Sequence, residues 1–368
     1  MSSRLLFLLL FCFQIHVFAQ EDAWVYLTDK ENVAASLANP ISILSQKALD
    51  RKLAHAVAID ARDVPVNEAY ISQLKTQPGI TVLAKSKWFN AVHVRGNLVD
   101  INNLSGLIFV NHIVFANKNL NARTSSPWYK FELESARTSF NYGSAANQIE
   151  MIQAQVLHQE NYTGSGITIA VIDAGFPNVN TMGAFQHLRA NNGILGGYDF
   201  TNRHPDIYAN TSSNHGTLVL STLAGYIENS YVGTAPNASY YLFITENAAN
   251  ENPLEESLWV EAAERADSLG VDIINSSLGY KTYDNPNYTH SNSDLDGLTT
   301  YISKGANMAF EKGILIVNSA GNSGASGLNA PADAAGVFTV GGVDANGNYA
   351  YFSSQGSVFQ PSQKPDVA

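Results

Sequence analysis

Three short stretches carry the residue types that could do chemistry. Val171-Ile172-Asp173-Ala174-Gly175 presents a carboxylate directly after an apolar run. Asn214-His215-Gly216-Thr217 presents an imidazole at the start of a helical pattern. Ser319-Ala320-Gly321-Asn322-Ser323-Gly324 presents a side-chain amide beside glycines. A carboxylate at the edge of a buried strand can fix one imidazole tautomer and stabilise its charged form. A neutral His held this way is a good general base near pH 7. The amide of Asn322 can donate to a developing oxyanion, a contribution of roughly 3–4 kcal/mol. An acid, a base and an oxyanion donor in this order require a nucleophilic Ser. None stands in a suitable setting: Ser277, Ser319, Ser323, Ser353 and Ser354 lie near the relevant elements, and none opens a helix.

These residues need elements that hold them together. From about residue 149 strand and helix patterns alternate. Ile167–Ile172 is a continuous apolar run, as expected of a strand buried on both faces. The spacing predicts a helix over His215–Gly225, with Asn214 as N-cap and Gly225 as C-cap. Gly216 reads as clearing space beside the imidazole for a substrate. Strands are expected over Tyr240–Ile244, Val271–Asn275, Ile314–Val317 and Val337–Val340. Helices are expected over residues 254–269, closed by Gly270, and over Leu298–Lys312, closed by Gly313. The alternation implies an α/β fold, a parallel sheet with helices on both faces. Chemistry in such sheets sits beyond the carboxyl ends of the strands. Asp173, Asn275-Ser276-Ser277 and Asn318–Asn322 all fall there.

Residues 1–19 read as a secretory signal peptide. Arg4 precedes the apolar run Leu5–Phe13, and Val17 and Ala19 give small residues before Gln20. That run is short for a bilayer, and no second long apolar run occurs, so no membrane span is expected. The only cysteine, Cys12, lies inside this segment. Export without disulfides points to a bacterial secreted or cell-envelope protein. Residues 20–117 follow the order β-α-α-β-β-α-β, a small α+β domain of ferredoxin-like, split βαβ form. Residues 118–148, rich in Asn, Ser, Thr, Gly and Ala, read as a linker and processing region. Residues 149–368 are the α/β domain. The formal charge of −11, with no Lys/Arg cluster, argues against a nucleic-acid partner. With 14% charged and 45% apolar residues the chain reads as compact and globular, not disordered.

The three motifs resemble those of the subtilisin-like serine proteases, whose catalytic residues run in the order Asp, His, Ser. The resemblance extends from about Ile149 to Ala368. It implies that Asp173 orients the base, His215 is the base and Asn322 is an oxyanion donor. Ser277-Leu278-Gly279 resembles the strand that pairs with an extended peptide substrate. Ala320-Gly321 resembles the floor of the primary specificity pocket. Lys364-Pro365-Asp366-Val367-Ala368 resembles the approach to the family's Gly-Thr-Ser nucleophile motif. The N-terminal domain resembles the family's propeptide, a chaperone and intramolecular inhibitor whose end occupies the cleft until it is cut.

Two departures stand out. Leu218 occupies the place, three residues after His215, where the family usually has a second His; it reads as a packing residue. No Gly-Thr-Ser occurs, so the nucleophile is expected beyond residue 368. The expected protein is a serine endopeptidase precursor acting on polypeptides, and residues 1–368 alone should have little activity. The alternative is a non-catalytic peptide-binding protein that uses the same cleft. The resemblance implies no cofactor for the chemistry. Many family members hold structural calcium, and no stretch of this sequence has the spacing of a dedicated calcium loop, so no metal ligand is assigned.

Overall fold

The structure, a computed structural model, describes residues 20–121 and 140–368. The signal peptide read over 1–19 and the central part of the linker read over 118–148 lie outside the described residues.

The first domain runs β1 (Gln20–Leu27), α1 (Val33–Ala38), α2 (Gln46–Ala54), α3 (Glu68–Lys75), β2 (Thr81–Ser86), β3 (Ala91–Asn97), α4 (Leu98–Asn103) and β4 (Val110–Phe115). Its sheet is antiparallel with order β2-β3-β1-β4, the split βαβ arrangement expected. The helices begin where polar side chains can satisfy otherwise unbonded N–H groups: Ser45 and Asn97 each accept one at the start of α2 and α4, and Asn67 accepts two at the start of α3. The short α1 has no such side-chain cap, buries nothing, and was not expected from the sequence. Alternation in the strands splits their side chains between two faces. Ala23, Val25, Val92 and Val94 form the domain's own core with Ile71, Leu74 and Ile101. Trp24 faces the other way.

The second domain contains α5 (Ala146–Met151), α6 (Ala154–Gln159), β5 (Thr168–Asp173), α7 (Gln186–Ala190), β6 (Ile194–Asp199), α8 (His215–Ala224), β7 (Tyr226–Ile227), β8 (Tyr231–Val232), β9 (Ser239–Ile244), α9 (Leu254–Leu269), β10 (Ile273–Ser276), α10 (Tyr301–Glu311), β11 (Leu315–Ser319) and β12 (Val337–Val340). Six strands form one parallel sheet, in the order β12-β11-β10-β5-β9-β6. Every residue of β5 is buried, as its unbroken apolar run demands. Ala170 and Ile172 join Trp259, Val260 and Ile302 of α9 and α10 on one face. Ile169 and Val171 join Leu220 and Ala224 of α8 on the other. No described helix is long and apolar enough to cross a membrane.

The outer face of the first sheet lies against α9 and α10. Trp24 stacks on Tyr301 with ring centroids 4.6 Å apart, and its indole N–H donates to Ser257 Oγ at 2.8 Å. Trp24, Ala84 and Trp88 thereby belong to the same apolar cluster as Trp259 and Ile302. Glu264 of α9 accepts from the backbone N–H groups of Lys87 (2.9 Å) and Trp88 (3.0 Å), and from the Ser86 hydroxyl. This cap turns residues 87–90 away from extended geometry, and β3 starts at Ala91.

A buried ionic network closes the same interface. Asp267 of α9 pairs with Arg51 and, at 2.8 Å, with Lys52, both on α2. Lys52 also meets Asp63 at 3.2 Å, and Lys312 meets Asp63 at 2.8 Å. Removing one partner of such a set leaves uncompensated buried charge, at a cost of about 3–5 kcal/mol. Asp267→Ala should therefore weaken docking of the first domain by several kcal/mol. Limited proteolysis of the first domain, or urea unfolding followed by Trp fluorescence, checks this. An effect under about 1 kcal/mol, the range of exposed pairs, would contradict it.

Candidate active site

Asp173 is the last residue of β5 and is fully buried. Its backbone carbonyl accepts from Thr245 N at 3.2 Å, which ties the strand end to the loop after β9. Its Oδ1 accepts from Ala174 N at 2.7 Å and lies 2.8 Å from His215 Nδ1. Its Oδ2 is buried with no hydrogen-bond partner.

His215 is the first residue of α8. Its backbone N–H donates to Ser213 Oγ at 3.2 Å. Asn214 sits at the N-cap position without a side-chain bond, because its backbone (φ −106°, ψ 8°) is not in the extended conformation that lets a cap side chain reach back. Gly225 is the C-cap, as expected, and ends the helix in extended conformation. Thr217 N–H donates to Gly175 O at 3.2 Å and Thr217 Oγ1 to Pro177 O at 2.8 Å, so the first turn of α8 is fastened to the loop after Asp173. Gly216 explains how the two come so close. A Cβ there would stand 2.6 Å from Gly175 O, 2.7 Å from a ring carbon of Phe176 and 3.0 Å from Asp173 Cβ. The space it clears therefore lies toward the Asp173 loop, a correction to the substrate-side reading.

A carboxylate at Nδ1 selects the tautomer with the proton on that nitrogen and leaves Nε2 as the base. Nε2 makes no hydrogen bond to a described residue, and the side chain is half exposed. The hydrogen bond from Asp173 raises the His215 pKa above its usual 6.5, against a smaller opposing effect of burial.

The sheet register aligns the remaining candidates. Ile172, Ser276, Asn318 and Thr339 occupy one row across β5, β10, β11 and β12. Asp173, Ser277 and Ser319 therefore leave the sheet at the same edge. Asn318 Nδ2 donates to Leu278 O (3.0 Å) and Ser319 O (2.8 Å), joining the two segments. Gly321 takes a left-handed φ of 103° and turns the chain toward Asn322, which is exposed. Ser354 braces that turn: its N–H donates to Gly321 O at 2.9 Å, and its hydroxyl accepts from Ser323 N at 2.9 Å. Ala320 is buried with Leu328 and Ala332, beneath Gly321. Leu278 is half-buried and Gly279 exposed. Tyr280 N and O pair with Ala330 O and N, whereas Gly279 N and O bond to no described residue. No Ser hydroxyl bonds to the His215 ring among the described residues. Lys364–Val367 runs along β12, with Gly341 N donating to Val367 O at 2.8 Å. The roles of Asn318 and Ser354 escaped sequence reasoning, since nothing local marks either contact. Among the described residues no three His, Cys, Asp or Glu side chains gather as a metal site.

A parallel sheet with helices on both faces thus carries the buried Asp–His pair, and a small α+β domain docks on two of those helices. Residues 164–368 match the subtilase family model, more than half of the chain, and residues 22–130 match the model for the peptidase S8 propeptide domain of Bacteroidota. The chain belongs to the subtilase family. It is 31% identical over 214 residues to an alkaline protease of Alkalihalobacillus alcalophilus, a match covering 57% of this chain and 48% of that one. It is 31% identical to subtilisin BL of Lederbergia lenta, covering 57% and 67%, and 33% identical over 215 residues to subtilisin E of Bacillus subtilis, covering 57% and 49%. The match thus spans about half to two thirds of the length of these relatives. In fold it is similar to the epidermin leader peptide processing serine protease of Staphylococcus aureus, with a TM-score of 0.52 at 15% identity over 91% of this chain and 72% of the other.

Gly216→Ala should force the start of α8 away from Asp173. We expect a loss of about 1–3 kcal/mol from overpacking. The His215 Nδ1 proton resonance should also lose the downfield shift that a short bond to a carboxylate gives. A variant with unchanged melting temperature and resonance would contradict this account of Gly216.

Proposed function

We propose that this chain is the N-terminal part of an exported subtilisin-like serine endopeptidase precursor whose nucleophilic Ser lies beyond residue 368. The observation that carries the reading is the 2.8 Å contact between Asp173 Oδ1 and His215 Nδ1, with Nε2 bonded to no described residue and the side chain half exposed. In this mechanism the Ser hydroxyl attacks the substrate carbonyl carbon while His215 Nε2 takes its proton. Asp173 stabilises the imidazolium that forms. Asn322 Nδ2 and a backbone N–H donate to the tetrahedral oxyanion. Collapse breaks the C–N bond, and His215 returns the proton to the departing amine. Water then hydrolyses the acyl-enzyme by way of the same base.

Gly279 supports a polypeptide substrate. Its backbone N–H and C=O are exposed and unengaged, whereas the flanking Leu278 O and Tyr280 groups are already bonded. An extended peptide can therefore add there as a strand. Ser277, Leu278, Gly279, Ala320 and Gly321 are the proposed substrate-binding residues. The first domain acts as propeptide, docked on α9 and α10 and released after cleavage within residues 118–148. The signal at 1–19 directs export.

The test is the complete reading frame. It should encode Gly-Thr-Ser within some tens of codons after 368, and its product should be labelled by a fluorophosphonate. Labelling that persists in His215→Ala would contradict His215 as the base. A raised His215 pKa means that the neutral, basic form gains population only above pH 6.5, so kcat/KM should rise through a limb above that value. Asp173→Asn removes the hydrogen bond that raises it. That variant should move the limb to lower pH and reduce kcat by roughly 10⁴-fold. An unmoved limb would show that another group sets the profile.

A further inference from the structure

The loop after the Ser277–Gly279 segment grips the first domain at the two points where its chain enters and leaves the fold. Tyr288 reaches the start of β1. Its hydroxyl donates to Glu21 Oε2 at 3.2 Å and accepts from Asp22 N at 3.3 Å. His290 and Asp294 reach the exit, a short turn after β4. That turn is closed by its own residues. Asn121 Oδ1 accepts from Phe115 N at 2.8 Å, and Asn121 Nδ2 donates to Phe115 O. Ala116 N donates to Asp22 O at 2.9 Å, which ties the exit to the entry. The folded-back turn at Lys118–Leu120 presents Lys118 to the second domain.

Lys118 Nζ lies 2.7 Å from His290 Nδ1 and 2.8 Å from Asp294 Oδ2. On the far side of the ring, His290 Nε2 lies 2.8 Å from Glu256 Oε1. Glu256 of α9 is buried and also accepts from the Tyr283 hydroxyl and from Ile302 N at 2.9 Å. Burial alone would raise its carboxyl, but His290, Tyr283 and the Ile302 N–H bring it down to about 2. An ionised carboxylate at Nε2 selects the tautomer with its proton there and leaves a lone pair on Nδ1. The Lys118 ammonium donates to that lone pair and meets the Asp294 carboxylate at the same time.

The acceptor loop is itself braced against the proposed peptide-binding strand. His290 N donates to Lys281 O at 2.7 Å, and Tyr280 pairs with Ala330 through both of its backbone groups. Gly279, the next residue toward the site, has its N–H and C=O unengaged. We propose that Lys118 is a positioning residue for self-cleavage: held by His290 and Asp294, it fixes where the linker leaves the first domain and feeds it to the peptide-binding strand in one register. This rests on the protease reading above and deepens it. Fixing the start of a tethered substrate raises its effective concentration and limits which bond can reach the nucleophile. Lys118 acts through the linker and not on the reacting atoms.

The experiment follows the full-length precursor, with intact mass against time for the processing rate and N-terminal sequencing for the cut. Wild type should give one mature N-terminus. Lys118→Met, of similar length and without charge, should be processed about tenfold more slowly and give several. Lys118→Arg keeps the charge and the donors and should restore the single cut. All three should mature to the same kcat/KM on a free peptide, because the first domain has then left. A wild-type rate and cut in Lys118→Met would overturn the assignment. Slower processing at one unchanged cut would reduce Lys118 to a docking contact and also overturn it. If that precursor does not fold, Asp294→Asn gives the reading from the second domain, and an unchanged rate and cut there are equally fatal. Fluorophosphonate labelling reads the triad separately. Labelled enzyme whose cut ignores Lys118 refutes only the positioning role. Enzyme that is never labelled refutes the protease reading. Hydrogen exchange over residues 116–121 then measures the Lys118 contact alone, and equal exchange in wild type and Lys118→Met overturns it.

Discussion

The site depends on a carboxylate withdrawn from bulk solvent. Asp173 ends a strand buried on both faces, and its side chain is fully enclosed. A carboxylate so placed is costly unless donors meet it. Ala174 N–H and the His215 ring both bond to the same oxygen, and neighbouring features serve that convergence. Gly216 lets α8 approach, Thr217 pins its first turn, and Thr245 holds the strand end. The general base is thus positioned by the need to satisfy a buried acid.

A second demand falls on the outer surface of α9 and α10. It presents Tyr301, on which Trp24 of the first domain stacks, and Trp24 and Trp88 extend the apolar cluster of the second domain. Around that cluster sit Asp267 and Lys312, which find partners in Arg51, Lys52 and Asp63. The ionic network adds orientation, because each charge is stranded if the domain docks askew.

The repeating parts of this architecture were readable in the sequence. The stripe over residues 254–269 with Gly270 after it marked α9, and Gly270 does take a left-handed φ of 80°. The apolar run at 167–172 marked β5. Periodicity failed where local polar chemistry intervened. The Asp296 side chain captures the N–H groups of Leu298 and Thr299, so α10 begins only after Thr300. Strand β6 was missed because Gly196 and Gly197 interrupt its apolar pattern. Asp173 and His215 could be named from their motifs, whereas Asn318 and Ser354 act through partners far along the chain. Arg51, Lys52 and Asp267 look like solvated helix charges in sequence, and only the docked arrangement shows them buried.

The Glu264 cap has a consequence for protons. Burial at the interface pushes this carboxyl up to about 7, even against Lys87 and the N–H groups it accepts. Exposed to water, it would return toward its ordinary value near 4.5. Between those values the docked form holds a proton that the separated form gives up. Linkage then makes separation easier as pH rises through that interval, with the full effect reached above about 7. Through this one side chain, the hold of the first domain on the second is coupled to the acidity of the surrounding medium, and departure of the first domain discharges acid.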